Sequence, residues 1–144
     1  MKASEFIDRI EEAKIVEAIR HAEKLTSGEL RIFISSRKQP EVLKAAEEKF
    51  EKLGMTKTRE RNGILIYFAP ASKNFAVVGD KGIHEKCGPV FWSAIADEMS
   101  RLLKDEAFTD AILHAIATTG QLLCEHFPRG DHDQNELSDE IGRD

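Results

Sequence analysis

Glu60 to Pro89 reads ERNGILIYFAPASKNFAVVGDKGIHEKCGP, and the fold class turns on this stretch. Two apolar runs, Gly63 to Ala69 and Phe75 to Val78, flank the turn-forming residues Pro70, Ser72 and Asn74. Both are dominated by Ile, Val, Tyr and Phe and are too short for helices. They predict two strands paired antiparallel through a short loop. The first run hardly alternates, which predicts a central strand covered on both faces. The second ends in Gly79-Asp80-Lys81-Gly82, where two glycines bracket a carboxylate before a helix. Sites in α/β proteins tend to form where a strand meets a helix N-terminus.

Upstream, Glu29 to Ser35 alternates, with Leu30, Ile32 and Ile34 on one side and Glu29, Arg31, Phe33 and Ser35 on the other. This predicts a strand with one thoroughly buried face. Pro40 opens a helix whose buried stripe is Val42, Leu43, Ala46, Phe50 and Leu53, and Gly54 ends it. Strand, helix and strand over residues 29 to 69 make a βαβ unit, with parallel strands and a right-handed crossover.

Ser4 to Leu25 has helical spacing with Ser4 at the N-cap, and the apolar phase breaks near Glu11 to Lys14, so two helices are allowed. Pro89 falls in the first turn of a third helical stretch carrying Phe91, Trp92, Ile95, Met99, Leu102 and Leu103. A fourth, from about Phe108, buries Ile112, Ala115, Ile116, Thr119, Leu122 and Leu123, and Pro128 ends it. Residues 1–128 therefore read as one domain of the α/β class. Arg129 to Asp144 is polar and acidic, and predicts a disordered or loosely docked tail.

The composition, 41% hydrophobic and 33% charged, is that of a globular domain. A net charge of −5 argues against general nucleic-acid binding, which needs a basic stripe. No apolar run reaches transmembrane length. The opening MKASEFIDRIEEAK is too charged for a secretory signal, so a cytoplasmic location with no membrane partner is expected. Cys87 and Cys124 show no CxxC spacing and read as reduced thiols.

Gly79-Asp80-Lys81-Gly82-Ile83-His84-Glu85 is the foremost candidate site. Its glycines allow close backbone approach, and Asp80 and Glu85 offer hard oxygens to Ca²⁺ or Mg²⁺. The competing reading is a plain turn in which Asp80 caps a helix. Arg59 and Arg61 suit a phosphate or carboxylate, against the alternative of a solvated charged loop. Asp131-His132-Asp133-Gln134-Asn135 imitates an EF-hand opening but has Glu136 where the loop needs glycine, so that motif is rejected. His21, His84, His114, His126 and His132 lack zinc spacing, and no nucleophile turn is present.

Several stretches together resemble the TPM domain family, the thylakoid-lumen acid-phosphatase-like proteins and their bacterial relatives. Ala18-Ile19, Ala22-Glu23 and Thr26-Ser27-Gly28-Glu29-Leu30-Arg31-Ile32 resemble the family's opening. Lys52-Leu53-Gly54-Met55, Thr58 to Tyr67 and Val78 to Glu85 are similar to its short soluble bacterial branch, and the resemblance spans roughly residues 15 to 127. It implies a small mixed β-sheet sandwiched between α-helices. It also implies divalent-cation binding, often of calcium, and an accessory role of the kind other members play in photosystem repair or receptor modulation. The plant lumenal member's weak acid phosphatase activity is the alternative. Most bacterial members carry a signal peptide and a C-terminal anchor, neither of which is visible here. The family loop reads Gly-x-Gly-x-Glu, so matching Gly82 and Glu85 takes a one-residue shift.

Two functions are weighed on this basis. The first is a module that binds Ca²⁺ or Mg²⁺ through Asp80, Glu85 and Glu29, with Gly79 and Gly82 shaping the loop. It acts through an unidentified protein partner without strong catalysis. The second is a weak metal-dependent acid phosphatase, with Asp80 on the cation and Arg59 or Arg61 on phosphate. A purely structural loop remains the bland alternative.

Overall fold

A computed structural model of the chain describes residues 1–88, 90–130 and 140–144, and the side chains of Val90 and Phe91 lie outside the description. Pro89 and the Asp131–Asn135 stretch, both singled out in the sequence, also lie outside the described residues.

The described elements begin with α1 (Ala3–Arg9), α2 (Glu12–Glu23) and β1 (Glu29–Ile34), followed by α3 (Val42–Lys52). β2 (Gly63–Ala69) and β3 (Asn74–Gly79) come next, then α4 (Lys81–Cys87), α5 (Val90–Lys104), α6 (Phe108–His126) and β4 (Gly142–Arg143). The chain does break between α1 and α2, where the apolar phase slips, with Ile10 extended between them. Ser4 lies inside the first turn of α1, not at its cap, which is Lys2. Gly54 adopts φ 72° after α3, a left-handed stop that a β-carbon would strain.

The sheet order is β3-β2-β1-β4, with β2 antiparallel to β3 and β1 parallel to both β2 and β4. All seven residues of β2 are buried, as its unbroken apolar run requires. The pleat divides the core in two. Leu30, Ile32, Ile34, Ile64, Ile66 and Phe68 pack beneath α1, α2, α5 and α6. Phe33, Leu65, Tyr67 and Ala76 pack against Ala46 and Phe50 of α3 and against Met55. This is a small mixed sheet between helical layers. α3 covers the second face, so Phe33 and Glu29 are as buried as their neighbours, contrary to a one-faced strand. Leu43, placed in the buried stripe of α3, is 56% exposed because the helix rolls on Ala46 and Phe50.

The tail, expected to be disordered or loosely docked, meets the sheet at residues 141–144. Ile141 enters the larger core and Gly142–Arg143 pair with Phe33–Ile34. Asp144 accepts from the Ser35 hydroxyl at 2.8 Å and the Ser36 amide at 2.6 Å. Apolar content understated this segment because backbone pairing and one isoleucine hold it. No described helix is long and apolar enough to cross a membrane.

Candidate functional site

Register determines what meets at the amino end of the parallel pair. Glu29 stands opposite Gly63, Ile64 opposite Gly79, and the Asp80 amide donates to the Gly63 carbonyl at 3.0 Å. The starts of β1 and β2 and the end of β3 therefore share one end of the sheet. Glu29 and Asp80 are neighbours of the same glycine, although 51 residues part them in the chain.

Asp80 is the N-cap of α4, accepting from the Lys81 amide at 2.8 Å. The same carboxylate takes a two-pronged bond from Arg61, Nε to Oδ2 at 2.6 Å and an Nη to Oδ1 at 2.8 Å. This fork is the strong geometry for an arginine and a carboxylate. Its hydrogen bond raises the Arg61 pKa above the ordinary guanidinium value, outweighing partial desolvation. Arg61 itself sits at φ 52°. The structure thus commits both Asp80 oxygens and gives Arg61 the task of holding the 79–82 loop. Gly82 completes the lock, donating to the Arg61 carbonyl at 2.9 Å. A β-carbon there would lie 2.6 Å from that carbonyl and closer still to the Glu60 carbonyl. One at Gly79 would meet the Trp92 ring at 2.7 Å.

A second polar group lies beside this lock, and sequence reasoning did not single it out. The Ser27 hydroxyl donates to the Glu60 carboxylate, and the Asn62 amide nitrogen reaches Ser27 Oγ at 3.2 Å and Glu60 Oε2 at 3.3 Å. Asn62 is 1% exposed, and its Oδ1 has no hydrogen-bond partner among the described residues. Thr58 Oγ1 accepts from the Asn62 amide, fixing the turn that enters β2. The Thr26-Ser27-Gly28 turn is held from below: Thr26 Oγ1 donates to the Leu123 carbonyl at 3.0 Å and accepts from the Gly28 amide. Glu23, also buried, accepts from the Leu30 amide at 3.0 Å on the outer edge of β1.

Of the sequence candidates, Glu29 is 1% exposed at this end, and its amide donates to the Asn62 carbonyl at 3.3 Å. Glu85 is exposed on α4, and Arg59 is exposed on the loop before β2. Among the described residues no three His, Cys, Asp or Glu side chains converge to hold a metal ion. Cys87 and Cys124 are free thiols. The Cys87 pKa is raised, chiefly by burial and then by the Glu125 charge.

The oxygens that gather here are carboxylate, amide and hydroxyl, the hard donors that Ca²⁺ and Mg²⁺ take. With Asp80 engaged and fewer than three acidic groups convergent, Glu60 and Asn62, beside the start of β1 at Glu29, are the residues that could hold such an ion, and it would keep water ligands. Mg²⁺ habitually does so with one or two carboxylates. In that sense the residues fit a divalent cation.

The comparisons with known proteins agree with this architecture. BA42, from the psychrophilic bacterium Bizionia argentinensis, has a solved NMR structure that superposes with a TM-score of 0.85 at 34% sequence identity, covering 92% of each chain. No curated protein matches the chain. The family model of the TPM domain matches residues 1–122. With the mixed sheet and the Thr26–Glu29 and Arg61–Gly82 motifs in their places, the chain belongs to the TPM domain family.

Proposed function

We propose that this domain is a binding module without strong catalysis, taking Ca²⁺ or Mg²⁺ at the amino end of β1 and β2 and acting through a protein partner. The reading is carried by one observation: Asn62 Oδ1 is buried with no hydrogen-bond partner among the described residues, while Nδ2 of the same amide faces the oxygens of Ser27 and Glu60. A buried carbonyl oxygen left unpaired costs about 1–3 kcal/mol, and a cation would relieve that cost. Glu29 supplies charge from the neighbouring strand. Asp80 contributes at one remove, by fixing through Arg61 the loop that carries Glu60 and Asn62. Glu85, on the exposed face of α4, has no part in this ligand set.

The phosphatase alternative draws less support. Of its two clamp candidates, Arg61 has its guanidinium engaged by Asp80, which leaves the exposed Arg59. Calorimetric titration tests the reading. Wild-type protein should bind Ca²⁺ or Mg²⁺ with a single saturable phase. Asn62→Ala and Glu29→Gln should each weaken binding by about tenfold, the equivalent of one lost charge-assisted bond. Glu85→Gln should leave it unchanged. Absence of binding at millimolar cation would refute the reading. EDTA-sensitive hydrolysis of a phosphate ester, lost in Glu29→Gln, would replace it with the enzymatic one.

A further inference from the structure

The opposite end of the sheet carries a different feature. Near the carboxyl end of β2, between the hairpin and the α5–α6 junction, lies a cavity of about 460 Å³. That volume falls within the range of small-molecule sites, and in open α/β sheets ligands lie beyond the carboxyl ends of parallel strands. One wall is a row of phenylalanines drawn from four segments. Phe108, Phe6, Phe68 and Phe75 follow one another with ring centroids 5.0, 5.6 and 6.2 Å apart. Phe6, Phe68 and Phe108 are nearly buried, so this wall is formed before any ligand arrives.

The lining also holds Lys73, Lys104 and Glu106. Glu106 is matched by Arg9 at 3.3 Å, and the Arg9 guanidinium lies 4.7 Å from the centre of the Phe108 ring. Lys73 and Lys104 form no ion pair among the described residues. The lining is therefore left with uncompensated positive charge beside an aromatic wall. Two of the described non-glycine residues with left-handed backbone, Lys73 at φ 55° and Glu106 at φ 58°, lie here. Lys73 caps the Pro70–Ser72 turn, its amide donating to the Pro70 carbonyl, and Glu106 closes the end of α5, its amide donating to the Leu103 carbonyl.

We propose that this cavity binds a small anionic amphiphile, a free monocarboxylate with an apolar tail. The tail lies along the phenylalanine row and the carboxylate meets Lys73, with Lys104 adding charge. Charge complementarity selects this occupant: an apolar tail alone would leave the lysines unused, and a cationic head would be repelled. The site is separate from the amino-end oxygens and does not depend on cation binding.

Calorimetry on the full chain with octanoate, octan-1-ol and octylammonium, each below micellar concentration, tests the proposal. Octanoate should bind at one site, octan-1-ol about tenfold more weakly or less, and octylammonium not measurably, since a charged hydrogen bond is worth about that factor. Rising salt should weaken octanoate binding. Ser100→Trp, which fills the cavity from α5, should abolish it. Lys73→Asn keeps a residue that tolerates the left-handed backbone while removing the charge, and should weaken it about tenfold, with an unchanged melting temperature. Equal affinity for acid and alcohol, or octanoate binding undiminished in Lys73→Asn, would overturn the proposal. So would the absence of octanoate binding, or binding accompanied by ligand-independent self-association through this face.

Discussion

At the scale of single residues, the Gly79–Gly82 loop is closely packed. Gly82 is required because its α-carbon lies against the carbonyls of Glu60 and Arg61. Gly82→Ala should therefore destabilise the fold by about 1–3 kcal/mol, the usual cost of forcing a methyl group into filled space. Urea denaturation checks this, and a midpoint unchanged from wild type would contradict the lock. The bland alternative for Asp80, a helix cap, was legible in the sequence and is what the structure shows for its contact with Lys81. Its bond to Arg61 was not legible, because nothing local pairs residues 19 apart across two strands. Asn62 illustrates the same limit. Beside Gly63 it reads as a turn residue, and only Ser27, 35 positions away, makes it a buried polar group.

At the scale of elements, the strands and helices followed from periodicity, while the weakest element escaped it. β4 is two residues long and contains a glycine, so no pattern announces it. Its docking nonetheless combines a buried isoleucine, strand pairing and the Asp144 carboxylate. Burial works to raise the Asp144 pKa, but the Ser36 amide and Ser35 hydroxyl, with the Lys49 charge, outweigh it and hold the group below its ordinary value. A carboxylate whose pKa is depressed on folding adds stability that is full above the ordinary value, about 3.9. That contribution is lost as the pH falls through the lower folded value. Deleting Ile141–Asp144 should cost about 1.5–3 kcal/mol, the scale of burying one isoleucine. Asp144→Asn should flatten the acid limb of the stability profile below about pH 4. Denaturant melts across the pH range measure both, and a deletion costing under about 0.5 kcal/mol would mark β4 as energetically neutral.

At the scale of the whole molecule, the sheet separates two chemistries. Oxygens of Glu29, Glu60 and Asn62 lie at the amino end of the parallel pair, and the phenylalanine-walled cavity lies near the carboxyl end. The sequence placed the site at the Gly79 loop because that loop joins a strand to a helix. The antiparallel hairpin it predicted does return this loop to the amino end of β2, but it could not reveal the Arg61–Asp80 fork that closes the loop there. Nor could it assemble a cavity whose walls come from residues 6, 68, 75 and 108. The central claim is that a divalent cation binds at the amino end. Its most direct test is a Ca²⁺ titration followed by amide ¹H–¹⁵N correlation spectra. Shifts should be saturable and concentrated on the amides of Ser27 to Leu30 and Thr58 to Gly63, with the α4 amides around Glu85 little changed. Shifts centred on Glu85 and the exposed face of α4, or none at millimolar Ca²⁺, would contradict it.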